Sequence, residues 1–229
     1  MKILAVADEE CAALWDHFTP GRLDAYDLIL SCGDLKAQYL TFLVTMSHAR
    51  LLYVHGNHDG SYASRPPEGC DDIDGCLVTY NGVRILGLGG CMRYNPGDNQ
   101  YTDKEMARRI SKLKRAIKKA GGVDIVVTHA PPENLGDMQD DAHRGFASFV
   151  KLIEDYHPKF LLHGHVHLRY AHGLPREHVL GETRIINVCD RFEIELDEKE
   201  VPPKDKNRLI RNSKYNAPNE DFLYMKRWK

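Results

Sequence analysis

Asp8-Glu9-Glu10, Gly33-Asp34, Gly56-Asn57-His58-Asp59, Thr128-His129-Ala130 and Gly164-His165-Val166-His167 carry most of the chemistry legible in this sequence. Each stands at the C-terminal end of an apolar, β-branched run. Carboxylates come first, then an amide, then imidazoles, and all of these bind hard or borderline cations. In α/β sheets, side chains and backbone groups converge at the carboxyl ends of strands. Order and placement therefore point to a two-metal hydrolytic centre along one sheet edge.

His165 and His167 are two apart, so in extended backbone they share a face. Asp8 and Glu10 have the same spacing, which directs Glu9 away from the centre. Gly33 lets the chain turn sharply and present Asp34, and Asn57 offers a neutral oxygen after Gly56. His129 precedes Pro131-Pro132, which stiffens its loop. His17, His48, His55, His143, His157, His163, His172 and His178 are read as packing or surface residues. Arg93 and Tyr94 follow Gly89-Gly90 and either contact substrate, where an arginine suits phosphate, or are ordinary loop residues. The stretch 61–74 is placed to wall a pocket, and its acidic run (Asp71, Asp72, Asp74) disfavours a highly anionic substrate. The alternative is a solvated loop.

Runs 2–7, 27–32 and 51–55 read as strands buried on both faces, because they are continuously apolar rather than alternating. Helical spacing fills 36–48 and parts of 10–18. Asn81-Gly82 between two apolar runs marks a hairpin. A long helix follows at about 103–120, with Met106, Ile110, Leu113 and Ile117 as its apolar stripe and Gly121-Gly122 as its end. Its basic face reads as a solvated helix surface. Strand 123–128, helix 143–156, strand 159–163 and a hairpin-like pair, 183–188 and 191–196, complete the pattern. The fold class is α/β: two packed mixed β-sheets flanked by helices in four layers, over residues 1–200. Residues 201–229 form a polar, lysine-rich C-terminal extension opening on Pro202-Pro203. It reads as a segment draped on the surface, or, through Tyr215, Phe222, Tyr224 and Trp228, as a contact between copies in a homo-oligomer.

A chain of 229 residues can bury one sizeable core. Its net charge of −2 gives no drive toward nucleic acid or anionic lipid. No apolar run reaches the ~20 residues a membrane span needs. Met1–Ala7 is too short for a signal peptide and reads as a first strand. The six cysteines contain no Cys-x-x-Cys pair and read as free thiols, which makes the cytoplasm the expected location.

The five segments resemble the calcineurin-like metallophosphoesterase superfamily, whose pattern runs Asp-x-His, Gly-Asp, Gly-Asn-His-Asp/Glu, His and Gly-His-x-His. The resemblance spans residues 3–167 in the right order. It implies one ion held by Asp8, Glu10 and His167, a second by Asn57, His129 and His165, and Asp34 bridging them. Two such cations acidify a water to hydroxide that attacks phosphorus in line. His58 is implied as the catalytic group beside the leaving oxygen.

The chain departs from that pattern twice. Glu10 stands where histidine is usual, which makes the first site harder and favours Mn²⁺ or iron over Zn²⁺ if Glu10 ligates. Ala37 stands where many relatives carry the carboxylate that orients the catalytic histidine, leaving Asp59 or water for that task. The expected activity is hydrolysis of a phosphate mono- or diester, leaning to a small phosphodiester or nucleotide-like substrate. A catalytically weak binding scaffold and a nuclease are the other readings, and neither nucleic acid nor membrane is an expected partner.

Overall fold

The computed structural model describes residues 1–169, 173–197, 199 and 205–212. Three short β-α or β-loop units open the chain: β1 (Lys2–Ala7), β2 (Leu28–Ser31), α1 (Ala37–Thr45) and β3 (Arg50–Tyr53). β4 (Asp71–Asp72) pairs with β3. β5 (Leu77–Tyr80) and β6 (Val83–Leu88) form the Asn81-Gly82 hairpin. β7 (Cys91–Met92) and β8 (Gln100–Tyr101) form a two-residue ladder. Then come α2 (Asp103–Ala120), β9 (Ile125–Thr128), α3 (Ala147–Tyr156), β10 (Phe160–His163), β11 (Glu177–Leu180), β12 (Thr183–Asn187), β13 (Asp190–Glu195) and β14 (Leu209–Arg211).

One sheet has the order β13-β1-β2-β3-β4 and the other β11-β12-β10-β9-β6-β5-β14. Both are mixed, and the strands that end at the candidate site run parallel within each sheet. Ile3, Leu28, Leu30 and Leu52 of the first sheet meet Val78, Ile85, Ile125, Val127 and Leu162 of the second. Leu4, Val6, Ile29 and Leu51, on the other face of the first sheet, pack on Tyr39, Leu40 and Leu43 of α1. α2 and α3 cover the outer face of the second sheet through the predicted stripe and through Phe149, Leu152 and Ile153. The result is the four-layer arrangement, and burial on both faces explains why the strands read as continuous apolar runs.

α2 is fixed at both ends as its sequence dictates. Thr102 and Glu105 form a reciprocal capping box, and Gly121 takes the left-handed conformation (φ 77°) that closes the last turn.

Several sequence expectations need correction. Residues 10–18 form successive turns rather than a helix. The segment is short and tied down, with the Cys11 N–H donating to the Tyr39 hydroxyl and Trp15 packed edge-on against Tyr39 and Phe42. α3 starts at Ala147, because Gly145 and Phe146 spend their N–H groups on Asp137 and on the Pro131 carbonyl. The runs at 183–188 and 191–196 are not a hairpin. β12 lies in the seven-stranded sheet and β13 in the five-stranded one, so the chain changes sheets at Val188-Cys189. β14 comes from the segment read as a surface extension and pairs antiparallel with β5. Tyr215, Phe222, Tyr224, Trp228, Pro202, Pro203 and His172 lie outside the described residues. All six cysteines are free. Among the described residues no helix is long and apolar enough to cross a membrane.

A half-buried ion pair clamps the end of the β5–β6 hairpin to the β9 approach. Asp124 accepts from the Arg84 backbone and side chain (2.6–2.8 Å) and from Lys199 (2.8 Å). Burial pushes the Asp124 carboxyl up, but these donors prevail and hold it down at about 2, against an ordinary 3.8. A depressed carboxyl contributes stability above its unfolded value and loses it as pH falls through the folded one. Solvent screens this half-buried pair, so Asp124→Asn is expected to cost about 1 kcal/mol near neutrality. That gap should be intact above about pH 4 and vanish as pH falls toward about 2. Urea unfolding of both proteins across that range checks it.

Candidate metal centre

Both sheets deliver side chains to one edge. β1 leads into Asp8, β2 into Gly33-Asp34, and β3 into Gly56-Asn57-His58; β9 leads into His129 and β10 into Gly164–His167. The loops interlock through hydrogen bonds. Asp8 N–H donates to the Gly33 carbonyl (3.2 Å), and both Asp8 oxygens accept from the His165 N–H (2.9 and 3.0 Å). Asp34 Oδ1 accepts from the His58 N–H (2.8 Å). Asp59 Oδ2 accepts from the N–H groups of Gly56 (2.7 Å) and Asp34 (2.9 Å).

Asp8 (φ 61°), Asp34 (φ 56°) and His165 (φ 69°) all occupy the left-handed region. Non-glycine residues rarely do so, and such strain concentrates at functional sites. This backbone also overturns the spacing argument, which assumed extended chain. At Asp8 the chain reverses, with the Glu9 N–H on the Ala7 carbonyl (2.6 Å). Glu10 is thereby turned outward to Lys36 (3.0 Å), and Glu9 is turned inward to His167 Nδ1 (3.4 Å) and Arg169 (2.8 Å). His165 and His167 likewise do not share a face but enter two separate groups.

In the first group, ligand atoms of Asp34, His129 and His165 lie within 4.8 Å of one another. His129 is fully buried, its Nδ1 against the Cys32 carbonyl (2.8 Å). Its Nε2 is 3.0 Å from Asn57 Oδ1 and 3.3 Å from Asp34 Oδ2. His165 Nε2 lies 2.7 Å from the Ala142 carbonyl, which fixes the ring. In the second group, Glu9, His167 and Cys189 offer atoms within 4.8 Å of one another. Among the described residues Asp8 and Glu10 belong to neither group.

The electrostatics favour cations. Burial opposes charge on His129, yet the Asp34 carboxylate, its hydrogen bond and the Asp8 charge push this imidazole up to about 9. Asp34 in turn is held below the usual carboxylate range: burial pushes it up, and the His129 charge and hydrogen bond outweigh that. Asp8 is raised to about 6 by burial. His165 is drawn down to about 3 by burial and by the charge on His129, so it is a neutral donor. Carboxylate, amide oxygen and neutral imidazole are the donor set that a divalent ion takes.

The surroundings correct other expectations. Asp59 is committed to two backbone N–H groups and does not orient His58, whose ring is exposed at the mouth of the centre. The acidic run is paired: Asp71 with Arg50 (2.7 Å), Asp72 with His55 (3.2 Å) and Asp74 with Arg109 (2.6 Å). A cleft of about 210 Å³ is lined by Met92, Arg93, Tyr94, Asp141 and Arg144. Tyr94 reaches the centre, its hydroxyl 3.4 Å from Asn57 Nδ2, and Arg93 is braced by Glu105 (2.8 Å). Arg144 is missed by the sequence reading, which takes His143 for a packing or surface residue. The His143 ring lies 5.3 Å from that of His165. The dense Asp-Asp-x-His-Arg run after Met138 was the available signal.

A model of the calcineurin-like phosphoesterase family matches residues 2–169, and the chain belongs to that family. It is similar to an uncharacterized protein of Methanocaldococcus jannaschii, 26% identical over 159 residues, covering 63% of this chain and 71% of the relative. A solved structure of the Thermus thermophilus protein TT1561 superposes with a TM-score of 0.56 at 15% identity, over 82% of this chain and 89% of that one. A second solved structure does so with a TM-score of 0.60 at 14% identity, over 82% and 90%. These structural likenesses are of fold. The family supports a metal-dependent phosphoesterase in general.

Proposed function

We propose that this chain hydrolyses a small phosphodiester or nucleotide-like phosphate ester, using two divalent ions. The convergence of Asp34, His129 and His165 donors from both sheets, beside an exposed histidine, carries this reading. Asp8, Asp34, Asn57, His129, His165 and His167 would hold the ions. Bound there, two divalent ions acidify a water and stabilise charge on phosphate oxygens.

The chain's own residues supply the rest. His58 is anchored through its N–H on Asp34 and presents its ring to solvent, where it donates a proton to the leaving oxygen. Asn57 keeps its oxygen toward His129, while its amide group faces the Tyr94 hydroxyl. Arg93 and Arg144 line the cleft as cations for the substrate's anionic groups. The cleft volume suits a compact ester.

Turnover of a bis-aryl phosphate and an aryl monophosphate, with Mn²⁺, Zn²⁺ or Fe²⁺ added to chelated protein, tests the proposal. Metal-dependent release, faster from the diester, is expected. Protein that binds metal and turns over neither ester, nor any member of a cyclic nucleotide panel, would act as a scaffold instead. Arg144→Ala is expected to raise KM about tenfold with kcat nearly unchanged, as for lost uniform binding. Steady-state kinetics on the better substrate reads that split.

A further inference from the structure

Glu9, His167 and Cys189 stand together, and neither Glu9 nor Cys189 has a place in the ligand set that the family pattern implies. Their side chains are of three different types, from three distant parts of the chain. Cys189 sits where the chain passes from the seven-stranded to the five-stranded sheet, bridged to Ala7 at the end of β1. Its N–H donates to Asn187 Oδ1 (2.9 Å), and its carbonyl accepts from Arg176 (3.0 Å). The Asn187 amide in turn donates to the Val166 carbonyl (2.7 Å), inside the Gly164–His167 segment. The thiol is thus fixed against the loop that carries His167. The backbone N–H of Leu168 is turned to its sulfur.

Glu9 is presented by the left-handed turn at Asp8. One oxygen faces His167 and the other is held by the exposed Arg169. That division leaves one oxygen for an ion while the second is oriented by an outer partner, a common arrangement for ligating carboxylates. Glu10 is spent on Lys36 at the surface.

We propose that the first ion of the centre is held by Glu9, His167 and Cys189, and that Glu10 is not a ligand. This rests on the two-metal reading above and deepens it. A thiolate softens the site, so it favours Zn²⁺, Fe²⁺ or Co²⁺ over the Mn²⁺ that a Glu10 ligand would select. A coordinated thiol is deprotonated, so ion binding at this site is coupled to loss of the thiol proton.

The test uses the full chain, stripped of metal and loaded with Co²⁺. A thiolate-to-cobalt charge-transfer band in the near ultraviolet is expected, and Cys189→Ser removes it. Glu9→Gln is expected to weaken cobalt binding at this site at least about tenfold. Glu10→Gln should keep both band and cobalt content. Wild-type protein holding two cobalt ions with no sulfur band overturns the proposal. So does a band that survives Cys189→Ser, or metal lost with Glu10→Gln and kept with Glu9→Gln. These readouts need no turnover. A band without ester hydrolysis leaves this site standing and sinks the proposed activity. Hydrolysis by the two-cobalt protein without a band does the reverse.

Discussion

Asp34→Asn is expected to lower phosphoester turnover at least about 10³-fold, roughly 4 kcal/mol in the barrier, and to leave the protein unable to retain its full metal complement. The side chain is almost isosteric, so the effect must come from charge and hydrogen-bond polarity. Asp34 offers one oxygen to the His58 N–H at 2.8 Å and the other to His129 Nε2 at 3.3 Å. An amide can satisfy only one of these with its oxygen. Its NH₂ group would then face a second donor, or the position an ion takes. The carboxylate is also the group that most strongly favours positive charge on His129. Removing it leaves cations at this edge with Asp8 as the nearest buried counter-charge. Metal content by mass spectrometry and kcat on an aryl diester would both fall. A variant with unchanged metal content and unchanged kcat would show that Asp34 bridges nothing.

How much of this is readable in advance differs by residue. Asp34, Asn57, His129 and His165 are legible because each directly follows a strand or a glycine turn, and the strand dictates where the next residue emerges. The doubly buried strands are legible for the same reason: their apolar runs do not alternate. Spacing alone turns Glu9 and Glu10 the wrong way round. The period-two rule holds only for extended backbone, and nothing in Asp8-Glu9-Glu10 announces that Asp8 adopts φ 61°. That conformation is imposed from far away in sequence, by the His165 N–H and the Gly33 carbonyl. Cys189 is invisible for a related reason. Two alternating runs with two residues between them look like a hairpin, and only the competition between two sheet edges sends them apart. β14 escapes notice because three residues carry too little pattern to be read without the β5 edge they complete.

Gly33→Ala is expected to cost about 3 kcal/mol or more and to abolish metal retention. Two effects add at this position. Gly33 has φ +93°, where a side chain is strained, and a Cβ there would lie 2.8 Å from Gly56 Cα and 2.9 Å from the His55 carbonyl carbon, with the Gly56 nitrogen nearer still. These are backbone atoms and cannot rotate away. The two loops that meet here carry Asp34 on one side and Asn57 and His58 on the other, so relief of the clash must separate ligands. A Cβ at Gly56 would meet the same junction from the opposite side, 2.7 Å from the Asp34 nitrogen. Gly75→Ala separates the two effects. Gly75 is also left-handed (φ +64°), but a Cβ there meets nothing within 4 Å. That variant should lose only the conformational term, about 1–2 kcal/mol, and keep its metal. For a chain of this length each kcal/mol moves Tm by about 2–4 °C. Calorimetry should therefore place Gly33→Ala at least about 6 °C below the parent, with Gly75→Ala between them. Equal shifts for the two alanines would mean that backbone conformation alone sets the cost, and that the close approach of the two ligand loops is not what holds the centre together.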